Sequence, residues 1–147
     1  MIDTIEKSPV HGTAVAVNGR GFLILGPSGA GKSGLALKMI ALGAVLVADD
    51  QVLLERLDGK IWMRAPENLH GLIEARGVGL IHQPALSEAR LSCVVDLSIE
   101  PETRMPHPQS VHVLGSRIDL LKGRNLPNLS SILLLLGRDG PAGARQA

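Results

Sequence analysis

The stretch GPSGAGKS at residues 26–33 decides how this sequence folds. It has the spacing G-x-x-x-x-G-K-S, in which glycines let backbone N–H groups converge on a phosphate without obstruction from Cβ atoms. The apolar run FLIL precedes it and the periodic stretch LALKMIAL follows it, so the motif lies between a predicted strand and a predicted helix over about residues 32–42. A chance glycine-rich turn is the alternative, and this strand-loop-helix context disfavours it.

Two residues at the end of the motif supply most of its polar chemistry. Lys32 is a mobile cation for the terminal phosphates of a nucleotide, and Ser33 offers a hydroxyl to Mg²⁺. The helix that follows directs its N-terminal dipole at the same phosphates. The predicted nucleotide-binding residues are Gly26, Pro27, Ser28, Gly29, Ala30, Gly31, Lys32 and Ser33.

A β-hairpin is predicted immediately before this loop. The runs TAVAV (13–17) and GFLIL (21–25) flank Asn18-Gly19, a dipeptide typical of two-residue hairpin turns. If these two residues form the turn, the numbers of paired residues sum to about 37. Continued outward, that register places His11 opposite Gly26. An imidazole is therefore expected beside the phosphate site.

The apolar run AVLVADD at residues 44–50 predicts a buried strand that ends in two carboxylates. Beside a phosphate-binding loop, one such acid can hold Mg²⁺ through water and a neighbouring acid can accept a proton from the substrate. Adjacent strand residues point to opposite sides, so we expect Asp49 and Asp50 to have different roles. A solvated Asp-Asp turn is the alternative that the pattern leaves open.

Further along the chain, LIEARGVGLIH at residues 72–82 places Glu74 and Arg76 two residues apart, on one face of a predicted strand. A carboxylate and a guanidinium directed together into a phosphate pocket would suit Mg²⁺ and a phosphoryl oxygen. A surface ion pair of little energetic consequence explains the same spacing, and on spacing alone it is the favoured interpretation.

The remaining pattern predicts one domain over residues 1–136 and a disordered tail over 137–147. Residues 53–66 are predicted to form a second hairpin, which turns at Asp58-Gly59. The segment 123–136 is predicted to enter a short apolar helix, with Asn125 or Asn128 as its cap.

Composition excludes several classes of protein. The formal net charge of +1 argues against nucleic-acid binding driven by basicity, and one phenylalanine and one tryptophan provide no stacking platform for bases. The single cysteine, Cys93, cannot form an internal disulfide and is expected to be inert packing. The N-terminus does not resemble a signal peptide, and the longest apolar run, ILLLL, is too short to cross a membrane. A soluble, cytoplasmic protein is therefore expected.

In their order, these pieces resemble the catalytic domain of HPr kinase/phosphorylase over about residues 8–127. They are HG at 11–12, GPSGAGKS at 26–33, LVADD at 46–50, EARGVGLI at 74–81 and GRNLP at 123–127. The combination of LVADD with EARGVG is more specific than the loop alone, and it reverses the surface-pair interpretation of Glu74 and Arg76. The chain resembles the short, catalytic-domain-only form found in some proteobacteria.

The resemblance implies an α/β fold: a P-loop nucleotide-binding domain, similar to the nucleotide core of phosphoenolpyruvate carboxykinase, with a mixed sheet and few helices. It implies an enzyme that uses ATP and Mg²⁺ to phosphorylate a serine of HPr, the small phosphocarrier of the sugar phosphotransferase system. It also implies removal of that phosphate by inorganic phosphate, which releases pyrophosphate. The implied partners are HPr and further copies of the chain in a homo-oligomer.

Two other functions remain open at this point. One is a P-loop kinase that acts on a small metabolite, and the other is a nucleotide-sensing module without transfer activity. An enclosed pocket with specific polar groups would favour the first, whereas a flat, exposed site favours a protein substrate. The Asp49-Asp50 pair and the pair of Glu74 and Arg76 argue against mere nucleotide sensing.

Matched by position, the resemblance implies catalytic roles for three residues. His11 is the active-site histidine beside the loop, and Lys32 binds phosphate. Asp50 is the acid/base residue, which takes the serine proton in the forward reaction and returns one in phosphorolysis.

The same resemblance implies the metal site and two arginines. The implied Mg²⁺ ligands are Ser33, Asp49 and Glu74. Arg76 belongs to the same signature as Glu74. Arg90 is the best candidate for a catalytic arginine that the family carries in a longer loop, and Gly123, Arg124 and Asn125 fall in a segment associated with dephosphorylation.

Overall fold

The computed structural model describes residues 4–140, which form one large mixed sheet, a separate small hairpin and two helices. The strands are β1 (Thr4–Ile5), β2 (Val10–His11), β3 (Thr13–Val17), β4 (Arg20–Leu25), β5 (Val45–Ala48), β6 (Gln51–Leu57), β7 (Lys60–Arg64), β8 (Leu72–Ala75), β9 (Gly79–His82), β10 (Ala89–Asp96), β11 (Gln109–Val113) and β12 (Ser116–Lys122). The helices are α1 (Lys32–Ala41) and α2 (Leu129–Asp139), and a single 3₁₀ turn spans Glu67–Leu69.

The order of the strands places several of their carboxyl ends at one edge of the sheet. The main path runs β1-β11-β12-β10-β4-β3-β5, with β6 and β7 joined to it through β10, and β2 paired to β6. Strands β4, β10 and β12 run parallel to one another. Strand β5 runs in the same direction as β4, because it is antiparallel to β3, which is antiparallel to β4. The segments that follow these four strands therefore meet at one edge, where open α/β sheets bind ligands.

The first hairpin forms in the predicted register. Val17 pairs with Arg20 and Val15 pairs with Phe22 across the turn at Asn18-Gly19, and the ladder ends where Thr13 meets Ile24. These sums of 37 confirm that the two turn residues set the register.

The outward extension of that register to His11 is wrong. His11 pairs instead with Gln51, in the short ladder between β2 and β6. The chain bends at Gly12, whose N–H donates to the carbonyl of Asp50 at 3.1 Å. A Cβ at Gly12 would lie 2.9 Å from the carbonyl oxygen of Ile24, so the bend needs a residue without a side chain.

The core lies on both faces of the central sheet, because β4 is apolar at every position after Gly21. Leu23 and Leu25 pack into a cluster with the strands β6 and β7, whereas Phe22 and Ile24 pack into a second cluster with the two helices. Alternate side chains of a strand point to opposite faces, so one apolar run serves both clusters. Each fully buried side chain of this size contributes about 1.5–3 kcal/mol to folding.

The other predicted elements are largely confirmed. Helix α1 spans Lys32–Ala41, and the second hairpin turns at Asp58-Gly59, where both residues have positive φ. Cys93 lies in strand β10. No helix among residues 4–140 is long and apolar enough to span a bilayer.

Helix α2 continues beyond the predicted domain boundary at residue 136. It ends at Asp139, and Gly137 is buried within it. The last turn is held because Arg20 Nη1 donates to the carbonyl of Gly137 at 2.7 Å and Asn18 Nδ2 donates to that of Arg138 at 3.2 Å. These bonds satisfy carbonyls that a helix end leaves unpaired, so placing residues 137–139 in a disordered tail was wrong. Residues 141–147 of the predicted tail lie outside the described residues.

Helix α2 begins directly after Asn128, one of the two residues predicted to cap it. Asn128 occupies the capping position with φ +61°, but its side chain forms no capping hydrogen bond. Its contribution is therefore conformational, since asparagine tolerates the left-handed region better than most residues.

The close packing of α2 on the first hairpin predicts the cost of adding one methyl group. A Cβ at Gly137 would overlap Val17 Cβ and lie 2.8 Å from Val17 Cγ1, so Gly137→Ala should lower the free energy of unfolding by about 1–3 kcal/mol. Gly34→Ala is the matched control, because that position in α1 has open space and alanine there should raise stability by up to about 1 kcal/mol. Urea unfolding followed by circular dichroism measures both, and equal effects would contradict this packing.

Cys93 is predicted to be unreactive in the folded protein. Burial raises the pKa of its thiol to about 12, and the charge of the facing Asp119 acts in the same direction. The ordinary pKa of a cysteine thiol is 9.0, so at pH 8 the thiolate fraction should be roughly a thousandfold lower in the folded chain than in the unfolded one. Reaction with Ellman's reagent should accelerate sharply in denaturant, with Cys93→Ser as the blank. Comparable rates with and without denaturant would show that the thiol is accessible.

Candidate active site

The glycine loop (residues 26–33) joins the end of β4 to the start of α1 at the edge where the parallel strands end. Gly26, Gly29 and Gly31 have φ angles of +156°, +87° and +98°, which residues with side chains rarely adopt. A Cβ at Gly29 or Gly31 would meet nothing within 4 Å, so these two positions require glycine for conformation rather than for space. The loop thereby exposes its backbone amides at the N-terminus of α1, a geometry suited to an anion.

Lys32 is buried and lies against this loop. Its Nζ donates to the carbonyl oxygens of Gly26 at 2.9 Å and Pro27 at 3.2 Å. Within residues 4–140, no carboxylate forms an ion pair with it. Its positive charge is therefore compensated only by carbonyl dipoles, which leaves it available to an anion on the loop.

Asp49 is the most constrained polar residue of the site. Its Oδ1 accepts hydrogen bonds from Thr13 Oγ1 and Ser33 Oγ, both at 2.8 Å, and its Oδ2 accepts one from the backbone N–H of Glu74 at 2.9 Å. The side chain is buried. These bonds fix the hydroxyl of Ser33 in the first turn of α1, and they connect β3, α1 and β8 through one carboxylate.

Thr13 is a site residue that the sequence reasoning missed. It is buried, lines the same cleft and donates to Asp49. In the sequence it begins the alternating run TAVAV and resembles an ordinary strand residue. Gly34 and Leu37 also line the cleft and were missed, since the pattern assigns them only to the helix.

Asp50 has a different environment, as expected for the second of two adjacent acids. Its backbone has φ +72°, a strained conformation for a residue with a side chain, and its side chain is 65% exposed. His11 Nε2 lies 3.3 Å from Asp50 Oδ1, with a side chain that is 54% exposed. The backbone hydrogen bond from Gly12 to the Asp50 carbonyl keeps the segments that carry these two side chains adjacent.

The small hairpin of β8 and β9 contributes the other acid and an arginine. Glu74 lies in β8 and Arg76 lies in the turn that follows, and both line the cleft. The expectation that both residues lie on one face of a strand is wrong, because the strand ends at Ala75. The bond from the Glu74 amide to Asp49 anchors this hairpin to the site.

These parts enclose a cleft of about 430 Å³ beside the glycine loop. The predicted residues that line it are His11, Ser28, Gly29, Gly31, Lys32, Ser33, Asp49, Asp50, Glu74 and Arg76. The cleft thus combines an exposed carboxylate-imidazole pair, a buried lysine and oriented amides, which is a constellation suited to phosphoryl transfer.

Arg90 is not brought into this cleft. It lies at the start of β10, paired with Trp62, and its carbonyl packs against Gly21. Gly21 and Leu25 are four positions apart in β4, about 13 Å at the usual rise of a strand, and the glycine loop begins after Leu25. A catalytic role for Arg90 therefore finds no support in its position.

The site offers few protein ligands for a metal ion. No group of three or more His, Cys, Asp or Glu side chains within residues 4–140 is arranged to hold one. Mg²⁺ commonly uses one or two carboxylates together with water and substrate phosphates. Ser33 Oγ and Asp49 Oδ1, 2.8 Å apart at the end of the loop, fit that kind of site, and Glu74 lines the same cleft.

Comparison with known proteins assigns a family to this arrangement. Residues 4–99 match the family model described as HPr Serine kinase C-terminal domain. An HPr kinase/phosphorylase of Caldicellulosiruptor bescii is 34% identical over 157 aligned residues, covering 93% of this chain and 50% of the relative. One from Mycoplasmopsis pulmonis is 42% identical over 99 residues, covering 63% of this chain and 32% of the relative. The chain thus spans half or less of the length of these curated relatives.

A solved structure shares the fold. The HPr(Ser) kinase/phosphatase from Coxiella burnetii superposes with a TM-score of 0.76 over 88% of this chain and 93% of that chain. The sequence identity of the two chains is 24%, so this likeness concerns the fold alone.

The hydrogen bonds of Asp49 predict the effect of removing one donor. Thr13→Val keeps the side-chain shape but leaves Asp49 Oδ1 with Ser33 as its only side-chain donor, so the free energy of unfolding should fall by about 1.5–3 kcal/mol. Thr13→Ser should restore most of the loss. Thr4→Val, at an exposed position of β1, is the control and should change little. Chemical denaturation measures all three, and an unchanged midpoint for Thr13→Val would contradict the proposed importance of this bond.

Proposed function

This chain belongs to the HPr serine kinase C-terminal domain family, and we propose that it transfers the γ-phosphoryl group of ATP, with Mg²⁺, to a serine of the phosphocarrier protein HPr. The observation that carries the proposal is the exposed pair of Asp50 and His11, which lies beside the buried Lys32 and the amides of the glycine loop. Phosphoryl transfer depends mainly on positioning and on neutralising charge, and this cleft supplies groups for both.

In the forward reaction, Asp50 accepts the proton of the substrate serine as the serine oxygen attacks the γ-phosphorus. The bond from that phosphorus to the β-phosphate bridging oxygen breaks, and ADP is the leaving group. Lys32 and Arg76 both line the cleft and offset the negative charge of the phosphoryl oxygens. Mg²⁺, held by Ser33 with Asp49 and Glu74, would supply further charge neutralisation on the phosphates.

His11 orients the acid/base residue. Its Nε2 is 3.3 Å from Asp50 Oδ1, so the imidazole holds the carboxylate at the mouth of the cleft. Asp49 does not share this role, because both of its oxygens already accept hydrogen bonds. Asp49 therefore positions the surrounding groups, and Asp50 transfers the proton.

The same residues can run the reaction in reverse. An oxygen of inorganic phosphate attacks the phosphorus of phosphoserine, the bond to the serine oxygen breaks, and that oxygen receives a proton from Asp50. Pyrophosphate is released. Both directions use one acid/base residue, as microscopic reversibility requires.

The exposure of the site favours a protein as the acceptor. The side chains of His11 and Asp50 are 54% and 65% exposed, whereas pockets for small molecules bury most of the ligand surface. A serine on the surface of a second protein can reach such a pair, so HPr is preferred over a small metabolite. The predicted cytoplasmic location and homo-oligomeric state belong to the same proposal.

The first test is the transfer of ³²P from γ-labelled ATP to purified HPr. We expect Asp50→Asn to lower the rate at least a hundredfold while ATP binding is retained, because the variant loses the proton acceptor but no group that touches the loop. Asp58→Asn, the same change in the turn between β6 and β7, is the control and should transfer at the normal rate.

Addition of excess inorganic phosphate to labelled HPr tests the reverse activity through the release of labelled pyrophosphate. If the unaltered chain transfers phosphate to a small metabolite but not to HPr, the proposal of HPr as the substrate is wrong and the chain is a small-molecule kinase. If the chain binds ATP but transfers phosphate to no acceptor, it is a nucleotide-sensing module and not a kinase. Loss of ATP binding in Asp50→Asn would recast that residue as part of the nucleotide site.

A further inference from the structure

A second cleft lies on the opposite side of the glycine loop from the catalytic cleft. It has a volume of about 460 Å³, within the range of small-molecule sites. Its walls come from the outer side of the loop, from the end of β10 and from the segment after β12. The two clefts share Ser28 and Gly29, so both border the same part of the loop.

The topology of the sheet explains why the two clefts flank the loop. The catalytic acids follow β5, which lies two strands from β4 on one side, whereas Ser98 and Arg124 follow β10 and β12, the next two strands on the other side. If the phosphates of a nucleotide lie along the loop with the γ-phosphate toward Asp50, the nucleoside at the other end lies toward the second cleft.

We propose that the second cleft binds the nucleoside end of the nucleotide, with the base against Arg124. The proposal rests on the proposed function, because it takes the orientation of the phosphate chain from the position of Asp50. It assigns a base and ribose subsite to residues that have no role in the forward transfer proposed above.

Arg124 has the chemistry to replace the aromatic side chains that usually hold a base. It is exposed at the cleft, and within residues 4–140 its guanidinium forms no hydrogen bond or ion pair. A guanidinium is planar and stacks on flat ring systems. The aromatic residues of the described chain, Phe22 in the core and Trp62 in β7, do not line this cleft.

The segment that carries Arg124 is already held in place. Gly123 is buried, and a Cβ there would lie 2.9 Å from Leu129 Cδ2 and 3.1 Å from Leu97 Cδ2. The backbone N–H of Gly123 donates to Asp96 at 2.9 Å, and that of Arg124 donates to Ile99 at 3.0 Å. Preorganisation of this kind lowers the entropic cost of binding.

The other walls of the cleft match a nucleoside. Pro27, Ala30 and Leu97 form an apolar surface for a ring face. Asn125 Nδ2 donates to Glu100, and its Oδ1 accepts no hydrogen bond from the described residues. The Ser98 hydroxyl donates to Asp96 Oδ1 at 2.5 Å, which leaves its oxygen free to accept from a ribose hydroxyl.

Binding of ATP and of inorganic tripolyphosphate, each with Mg²⁺, separates the base from the phosphates. By titration calorimetry, Arg124→Ala should bind ATP about tenfold more weakly and tripolyphosphate with unchanged affinity, as expected for the loss of one stacking contact. Arg124→Lys should restore little of the ATP affinity, because lysine keeps the positive charge but lacks the planar guanidinium that stacks on a base. Arg117→Ala, an exposed arginine at the opposite end of β12, is the control and should bind both ligands normally.

Saturation transfer from the protein to the adenine ring protons gives a second readout, and Arg124→Ala should weaken it. Equal weakening of both ligands would mean that Arg124 contacts phosphate, and would overturn the proposal. Unchanged ATP binding in Arg124→Ala, or full recovery in Arg124→Lys, would overturn it as well. If the unaltered chain shows the base-dependent effect but transfers no phosphate to HPr, the proposed function fails while the subsite stands.

Discussion

The buried carboxylate of Asp49 is the interaction on which the site depends. It accepts hydrogen bonds from the Thr13 and Ser33 hydroxyls and from the Glu74 amide, and so connects a central strand, the helix after the glycine loop and the small hairpin. A buried carboxylate is costly unless hydrogen bonds compensate for its desolvation. The three donors therefore contribute to the stability of the fold as well as to the positioning of Ser33.

The position of Asp49 also determines the exposure of Asp50. The chain turns sharply after Asp49, and Asp50 takes a left-handed backbone conformation that directs its carboxylate outward beside His11. Asp49 is buried and fixed by hydrogen bonds at the wall of the cleft, whereas Asp50 is exposed. The glycine loop lies beside both, between the catalytic cleft and the second cleft. A ligand that spans the loop would place its reactive end and its recognition end in environments of different chemistry.

Local signals were sufficient wherever the determining contacts are close in the chain. The register of the first hairpin follows from its two turn residues, and the limits of α1 follow from Gly31 and the apolar period after it. The same reasoning failed for His11, whose pairing with Gln51 depends on a bend at Gly12, and for the end of α2, which depends on Arg20. In both cases the deciding partner is remote in sequence.

The sequence by itself determined the strand-loop-helix unit, the two-sided core of β4 and the different environments of the two adjacent acids, because these properties depend on glycine placement and on hydrophobic period. Only the tertiary structure decided that Thr13 belongs to the site, that Arg90 lies at the far end of β4 and that Arg124 faces the opposite side of the loop. The order of the strands brings together residues tens of positions apart. That order is set by packing and pairing across the whole sheet, which no local pattern records.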